Sequence, residues 1–277
     1  MARNSFVFLL LACWFLVVAC STGPERQETI KPAAGAESAA PSGPNALEAV
    51  QARGTLRIGT EGTYVPFSYH DENGKLVGFD VEIAEEICKR IGVEPDFIET
   101  PWDEIFTGLD ENAFDVVFNQ VSIREDRLEQ YQFSDPYIYS HIVLLVKQDN
   151  MDVKRLSDLN GKKAAQALRS NLFDIAQRYG AEIVPATGFD EAISLLLTGE
   201  VDATVNDALT YLDLKHRQPE MPIKIVDEMS EATASGALFT KGHDELVLAV
   251  NGALAAMKKD GTYLEISKKY FDTDVSR

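Results

Sequence analysis

The stretch FDVVFNQVSIREDR, residues 114–127, decides the fold because it begins as a buried strand and ends in polar and charged side chains. Its first part, FDVVF, is rich in β-branched and aromatic residues, which pack well on the pleated surface of a sheet. The short polar groups Asn119, Gln120 and Ser122 follow directly, and the stretch ends at Arg127. A core strand that runs straight into such groups predicts a binding site at the end of the strand.

Strand and helix patterns alternate along the rest of the chain. Segments such as 55–60 and 223–227 are apolar and β-branched, which predicts strands, and segments such as 81–91 and 243–261 have apolar residues at helical spacing. This alternation predicts an α/β fold with largely parallel sheets. In such sheets ligands bind at the carboxyl ends of the strands, where the loops open into a crevice.

The composition excludes several functions. The chain has 277 residues, of which 45% are hydrophobic, enough for a substantial core and two domains. Its formal net charge of −18 argues against a nucleic-acid partner, because phosphate binding needs a basic face. The four histidines show no metal-ligand spacing, and neither a G-x-S-x-G elbow nor a P-loop occurs. We therefore expect no metal, no other cofactor and no catalytic residue.

The N-terminus predicts the location of the protein. Residues 6–19, FVFLLLACWFLVVA, are too short to span a bilayer, which needs about 20 residues, and they follow Arg3. This predicts a secretory signal over residues 1–19. The run ends in VVACS, which resembles the lipobox of bacterial lipoproteins, so we expect Cys20 to be acylated, for example with palmitate. An ordinary secretory signal beside a coincidental cysteine is the alternative.

The lipid predicts a protein that is held at a membrane surface outside the cytoplasm. LLAC at 10–13 also fits the lipobox pattern, but cleavage there would leave too short an apolar region. Residues 20–50 are rich in Pro, Gly, Ala, Ser and Glu, which predicts a flexible tether with ordered structure beginning near Arg53. Of the three cysteines, Cys88 lies on the apolar face of a predicted helix, so we interpret it as a small core side chain.

Polar groups follow several predicted strands and could meet in one cleft. Glu61 and Tyr64 follow the strand 55–60, and Asp207 ends the strand 201–207. The turn QALRSN places Asn171 at a helix start, where free N–H groups favour an anion. An arginine suits a carboxylate because its planar fork donates two parallel hydrogen bonds, and a carboxylate suits an ammonium group. Such a set is complementary to a free amino acid.

Three longer segments carry a family resemblance. GTLRIGTEGTYVPFSYHDENGKLVGFDVEIAEEI at 54–87, FDVVFNQVSIREDRLEQYQFSDPY at 114–137 and GEVDATVND at 199–207 closely resemble the polar amino-acid solute-binding proteins of bacterial ABC importers, family 3. The resemblance extends from Arg53 to the C-terminus. Within the family, KKAAQALRSN and DATVND are most similar to the cystine-binding branch.

The resemblance implies a two-lobed, periplasmic-binding-protein-like (type II) fold, each lobe being a mostly parallel sheet flanked by helices. Lobe 1 would comprise 51–141 plus 235–277 and lobe 2 would comprise 142–234. Two crossover strands, near SHIVLLV and TASGALF, would join the lobes, which close on the ligand.

The resemblance also implies roles for eight side chains. Arg127 matches the arginine that grips the ligand α-carboxylate, with the Ser122 hydroxyl beside it, and Asp207 matches the acid that receives the α-ammonium. Gln120 would contact the ligand backbone, and Tyr64 and Trp102 would flank the ligand side chain. Asn171 would help to hold the carboxylate from lobe 2, and Glu61 would face the side-chain pocket.

Each of these residues also has an ordinary structural interpretation. Arg127 could be a solvated helix charge, Asp207 a helix N-cap, and Glu61 a loop acid, while Tyr64 and Trp102 could be core or rim aromatics. Two positions depart from the family pattern. Arg124 stands where a threonine is common, and Leu172 stands where cystine binders often carry an aromatic. Gln166 and Arg169 are further candidates to meet the distal end of a ligand.

Together these observations predict a monomeric substrate-binding lipoprotein of an amino-acid ABC importer. It would capture a polar amino acid, with L-cystine as the predicted ligand, and deliver it to the permease without doing chemistry. One alternative is a cyclohexadienyl dehydratase-like enzyme on the same scaffold, which would need a general acid in the cleft, and Glu61 is the candidate. The other is a sensory amino-acid-binding module that acts through a separate receptor.

Overall fold

The structure, a computed structural model, describes residues 45–277 as an α/β unit. Its helices alternate with strands along most of the chain and are α1 (Ala46–Arg53), α2 (Phe79–Ile91), α3 (Trp102–Asp110), α4 (Glu125–Leu128), α5 (Asn171–Arg178), α6 (Phe189–Thr198), α7 (Ala208–Arg217), α8 (Asp244–Asp260) and α9 (Thr262–Phe271), with a 3-10 turn at Leu156–Leu159. Across residues 45–277, no helix combines the length and the apolar character that a membrane crossing requires.

The strands fall into two groups along the chain. Those before residue 141 are β1 (Thr55–Thr60), β2 (Thr63–Tyr64), β3 (Ser68–His70), β4 (Leu76–Val77), β5 (Glu94–Glu99), β6 (Val116–Val117), β7 (Tyr131–Phe133) and β8 (Ile138–Ser140). Those after it are β9 (Ile142–Lys147), β10 (Lys163–Gln166), β11 (Glu182–Pro185), β12 (Thr204–Asp207), β13 (Ile223–Glu228), β14 (Thr233–Ser235) and β15 (Leu238–Thr240).

The first sheet has the strand order β5-β1-β6-β15-β7. Strand β1 pairs in parallel with β5 and β6, whereas β15 returns antiparallel to β6 and β7. Its core combines side chains that are distant in sequence, such as Leu56 of β1, Ile83 of α2 and Leu254 of α8, all fully buried. The C-terminal helices therefore complete the core that the N-terminal strands begin.

The second sheet is centred on β9, which pairs antiparallel with β12 and β13. The parallel pair β10–β11 is connected to it by a bridge between Ala164 and Ala203. Because side chains alternate along a strand, Leu144 packs into a core on one face and Val143 into a core on the other. This sheet is therefore covered on both faces, as its almost uninterrupted apolar sequence IVLLV indicates.

The chain passes between the two sheets along β8 and β14, which pair antiparallel with Thr233 opposite Ser140. The two sheets with their separate cores are the two lobes of the fold. The strand pairing is mixed, and so it differs from the mostly parallel sheets that the sequence predicted. The reason is that β9 and β15 each follow a crossover strand and enter their sheets antiparallel to neighbouring strands.

Helix α1 corrects the predicted extent of the tether. The side chain of Asn45 accepts a hydrogen bond from the Glu48 backbone N–H, and the Glu48 side chain accepts one from the Asn45 N–H, which is a capping box. Val50 is buried in the first core, so residues 46–50 belong to the folded unit. The remainder of the predicted tether, the signal over 1–19 and the lipidation site Cys20 lie outside the described residues.

The ring of Phe114 fits between two glycines of the first lobe. A Cβ atom on Gly59 of β1 would lie 2.6 Å from this ring, and one on Gly108 of α3 would lie 2.8 Å from it. Close packing of this kind leaves no room for a methyl group. Helix α3, which begins at the predicted site residue Trp102, is therefore held against β1 through Phe114.

We expect Gly108→Ala to destabilise the protein by about 1–3 kcal/mol, because the overpacked core outweighs the better helix propensity of alanine. Gly252→Ala in α8 is the matched control. Its Cβ meets nothing within 4 Å, so it should stabilise the protein by roughly 0.5–1 kcal/mol. Urea unfolding of both variants measures the difference, and equal effects of the two substitutions would contradict this packing.

Candidate functional site

A cleft lies between the two lobes and takes side chains from both. From the first lobe it is lined by residues that follow β1, β5 and β6, namely Glu61, Thr63, Tyr64, Trp102, Asn119 and Gln120. The second lobe contributes residues near the ends of β10 and β12 and the starts of α5 and α6, among them Gln166, Ser170, Asn171, Leu172, Phe189 and Asn206. The site is therefore built at the carboxyl ends of strands.

Glu61 is held by a buried asparagine. The Nδ2 atom of Asn119 donates to Oε2 of Glu61 at 2.6 Å, and Oδ1 of Asn119 accepts from the Glu61 backbone N–H at 2.9 Å. Burial raises the pKa of Glu61 to about 7, although the Asn119 hydrogen bond lowers it, and the charge of Asp103 adds to the rise. The structure thus places a carboxylate in the cleft that has no ion-pair partner within residues 45–277.

Gln120 is held by an acid that the sequence analysis did not select. Its backbone has φ 53°, and Asp80 accepts from its N–H at 2.9 Å and from its Nε2 at 2.6 Å. Asp80 is fully buried at the start of α2, and burial raises the pKa of its carboxyl to about 7. This carboxylate fixes a left-handed turn, which a non-glycine residue rarely adopts, at the end of β6.

Arg127 lies beside the cleft and is only 7% exposed. Its guanidinium carbon lies 5.7 Å from the centre of the Trp102 ring and 5.3 Å from that of Phe106, and its NH1 donates to the Ser122 carbonyl at 3.0 Å. Burial lowers the pKa of Arg127 to about 10, so the group stays charged at neutral pH. In the described part of the chain, no carboxylate forms an ion pair with it.

Asp207 ends β12 and caps α7. Its Oδ1 accepts from the Leu209 N–H at 2.8 Å and from the Ser140 hydroxyl at 2.7 Å, so a crossover strand also holds it. Burial raises the pKa of Asp207 to about 6, against the lowering effect of these hydrogen bonds. No cationic side chain of residues 45–277 forms an ion pair with this carboxylate. The N-cap interpretation is correct, and it leaves the charge unpaired.

Tyr64 packs against the cores of both lobes, 5.0 Å from the Phe67 ring in the first. Its hydroxyl accepts a long hydrogen bond, 3.5 Å, from the Thr210 hydroxyl in the second lobe. Burial, with a contribution from the charge of Asp207, raises the pKa of Tyr64. The Tyr64 side chain is therefore uncharged and forms a wall of the cleft that contacts both lobes.

Five of the eight predicted site residues line the cleft together, and these are Glu61, Tyr64, Trp102, Gln120 and Asn171. The other three are not among the residues that line it. Arg127 stacks on the lining residue Trp102, Asp207 follows the lining residue Asn206, and Ser122 forms a β-bridge with Ser235. Arg169 does not line the cleft, since its NH1 donates to the Asp103 carbonyl at 3.1 Å.

Sequence reasoning missed the residues that support the site from behind. Asp80 and Ser140 belong to segments that read only as a helix start and a strand, so no local signal singles them out. Phe189 lines the cleft from the first position of α6, where an apolar residue reads as core. Within residues 45–277, no cluster of His, Cys, Asp or Glu side chains is placed to hold a metal ion.

The chain belongs to the bacterial extracellular solute-binding proteins, family 3, because residues 56–273 match that family. The L-cystine-binding protein TcyA of Bacillus subtilis (strain 168) is 44% identical over 229 residues, which cover 82% of this chain and 85% of TcyA. The predicted family and the interpretation as a binding protein rather than an enzyme are thereby confirmed.

Solved structures confirm the two-lobed α/β fold class. An ancestral arginine-binding protein bound to arginine is 40% identical, with a TM-score of 0.75 over 79% of this chain and 99% of the other. The L-cystine solute receptor of Neisseria gonorrhoeae, in an unliganded open conformation, is 37% identical, with a TM-score of 0.59 over 83% of this chain and 98% of the receptor.

We expect Glu61→Gln to stabilise the ligand-free protein at high pH but not at low pH. The folded-state pKa is raised, so between pH 4.5 and about 7 the unfolded chain loses a proton that the folded protein retains. The stability of the wild type therefore falls across this window, by an amount on the order of 1–3 kcal/mol for this group.

Urea unfolding of both proteins at pH 4.5 and pH 8 measures this effect. Asp80 and Asp207 titrate in the same range, but they are present in both proteins, so the difference between the two curves isolates Glu61. A difference that stays constant with pH would show that Glu61 ionises normally.

Proposed function

We propose that this protein captures a free amino acid between its lobes, with Arg127 gripping the α-carboxylate and Asp207 receiving the α-ammonium. One observation carries the proposal. Beside a single cleft, a buried guanidinium and a half-buried carboxylate both lack ion-pair partners within residues 45–277. Buried charges are normally paired, because removing them from water is costly. A zwitterionic head group supplies both missing partners at once.

The remaining predicted contacts support the same head group. Asn171 is the first residue of α5, and Ser170 caps that helix by accepting from the Phe173 N–H at 3.0 Å. A helix start adds free N–H groups and a favourable dipole for a carboxylate. We assign Ser122 and Gln120 to the same end of the ligand and Tyr64, Trp102 and Glu61 to the ligand side chain.

L-cystine is the ligand that we propose. TcyA and the Neisseria gonorrhoeae receptor are both described as binding or receiving L-cystine, and both are similar to this chain over most of its length. The family resemblance further supports a lipid anchor at Cys20, a location outside the cytoplasm, a monomer and delivery to an ABC permease. It also supports lobe boundaries at 51–141 plus 235–277 and at 142–234.

We further propose that the lobes open and close around the ligand and that the structure represents the closed state. Several contacts cross between the lobes near the cleft, among them an ion pair from Arg124 NH1 to Asp174 Oδ2 at 2.6 Å and the Arg169 bond to the Asp103 carbonyl. The TM-score is higher against the arginine-bound protein than against the open receptor, although the identities are close. A ligand stabilises closure only as far as it binds the closed state more tightly.

Calorimetry tests the proposal with protein that starts at Ser21 and is unfolded and refolded to remove bound ligand. We expect one-to-one binding of L-cystine with micromolar affinity or better, roughly −8 kcal/mol. Arg127→Met and Asp207→Asn should each weaken binding about 100-fold or more, because each leaves one ligand charge without its partner. Asparagine is a good N-cap, so Asp207→Asn removes the charge and keeps the cap of α7.

Arg155→Met is the matched control, because the Arg155 side chain is 71% exposed. It should bind like the wild type, and circular dichroism should show that all three variants are folded. Wild-type affinity in both Arg127→Met and Asp207→Asn would reject this site. Tight binding of a different amino acid would keep the site and reject L-cystine.

The Arg124 ion pair gives a separate kinetic prediction. Arg124 bonds Asp174 across the lobes and Asp126 within its own lobe, the latter at 2.9 Å from two nitrogens. Asp174→Asn should speed ligand dissociation about two- to fivefold, as expected for a partly exposed ion pair. Asp126→Asn changes the net charge equally but crosses no interface, so it should leave the rate near that of the wild type.

Stopped-flow measurements of ligand release at low and high salt provide the readout. The effect of Asp174→Asn should shrink in high salt, which screens exposed ion pairs. If the two variants changed the rate equally at both salt concentrations, the contact across the lobes would have no role in closure.

A further inference from the structure

The cleft holds two buried N–H groups for which no described residue provides a hydrogen-bond acceptor. Within residues 45–277, the indole Nε1 of Trp102 and the amide Nε2 of Gln166 have no hydrogen-bond acceptor. Trp102 is 8% exposed, Gln166 is 2% exposed, and both line the cleft. Buried donors are rarely left unsatisfied in native proteins, so such groups at a binding site indicate acceptors on the ligand.

The two donors approach the cleft from opposite sides. Trp102 is the first residue of α3 in the first lobe, and Gln166 is the last residue of β10 in the second. Neither belongs to the pair of charges assigned to the α-carboxylate and α-ammonium. An acceptor on another part of the ligand, between the lobes, would pair with both donors.

Glu61, in the same cleft, needs a hydrogen-bond donor rather than an acceptor. Its Oε2 accepts from Asn119, while its Oε1 accepts no hydrogen bond from any described residue, and no cation of the described chain pairs with it. An ionised carboxylate only accepts hydrogen bonds. A ligand that complements this cleft therefore has a hydrogen-bond acceptor near Trp102 and Gln166 and a cationic donor near Glu61.

We propose that these three residues bind a second amino-acid head group, so that the ligand is a double-headed amino acid. Trp102 and Gln166 donate to its distal carboxylate, and Glu61 accepts from its distal ammonium. This inference rests on the proposed function, in which Arg127 and Asp207 hold the proximal head group. It makes Gln166 and Trp102 determinants of specificity.

Ligands with a single kind of distal group match the three residues less well. The end of an arginine or lysine side chain offers only donors, so it satisfies Glu61 and leaves both N–H groups unpaired. A glutamate side chain satisfies the N–H groups and sets one carboxylate against another. A glutamine amide offers an NH₂ group as donor and a carbonyl oxygen as acceptor, but it carries no charge for Glu61. A site with fixed donors discriminates strongly against a ligand that lacks their partner.

Two analogues of L-cystine, each lacking one distal group, test the proposal by calorimetry in thiol-free buffer. The mixed disulfide of cysteine with cysteamine lacks the distal carboxylate, and that with 3-mercaptopropionate lacks the distal ammonium. We expect the wild type to bind each at least about tenfold more weakly than L-cystine. Gln166→Met and Trp102→Phe should each weaken L-cystine about tenfold and leave the cysteamine analogue within about twofold of the wild type.

Glu61→Gln should show the complementary pattern, with the loss confined to ligands that carry the distal ammonium. Gln120→Met is the matched control for Gln166→Met. The Nε2 of Gln120 is already bonded to Asp80, so this variant should weaken L-cystine and both analogues by the same factor. Thermal unfolding midpoints of all variants, measured without ligand, exclude loss of fold as the cause.

Each outcome separates this inference from the proposed function. If L-cystine binds the wild type and the Gln166 and Trp102 variants weaken all three ligands equally, or none, the inference is wrong and the function stands. If the wild type binds only single-headed amino acids, both the inference and L-cystine as ligand are wrong. Binding of no amino acid by folded protein would reject the proposed function itself.

Discussion

The arrangement of the site depends on one constraint, the burial of the Arg127 guanidinium without an ion-pair partner among residues 45–277. A buried cation needs compensation, and here residues 45–277 supply two aromatic faces and one carbonyl but no ion-pair partner. Cation–π contacts of this kind contribute roughly 0.5–2 kcal/mol, which offsets only part of the cost of desolvation. Trp102 and Phe106 must therefore stay in place, and the position of α3 follows from that requirement.

A second layer of polar groups fixes the first at some expense of stability. Asp80 orients Gln120, Asn119 orients Glu61, and Ser140 orients Asp207. Burial raises the pKa of all three carboxyl groups, so each ionised form is held in an unfavourable place. Binding sites commonly carry such perturbed groups, because the same desolvation that destabilises them strengthens their contacts with a ligand.

Much of this organisation could be read from the sequence, since it lies in local pattern. Strand ends with polar residues predicted that Glu61 and Gln120 reach one cleft, and helix starts predicted Asn171. The stacking of Arg127 on Trp102 joins positions 25 residues apart, and the unsatisfied amide of Gln166 depends on side-chain orientation. Neither has a periodicity or composition signal. The capping box at Asn45 was a local signal, but a Pro- and Ala-rich context obscured it.

The buried Cys88 has a consequence for a receptor whose proposed ligand contains a disulfide bond. It is the only free thiol of the described chain, it is fully buried on α2, and burial raises its pKa to about 12. Thiol–disulfide exchange needs an accessible thiolate, and almost none exists at such a site. Cys88 can therefore neither reduce an oxidised solute nor become covalently attached to it, and the part of the chain from residue 45 onward leaves such a solute chemically unchanged.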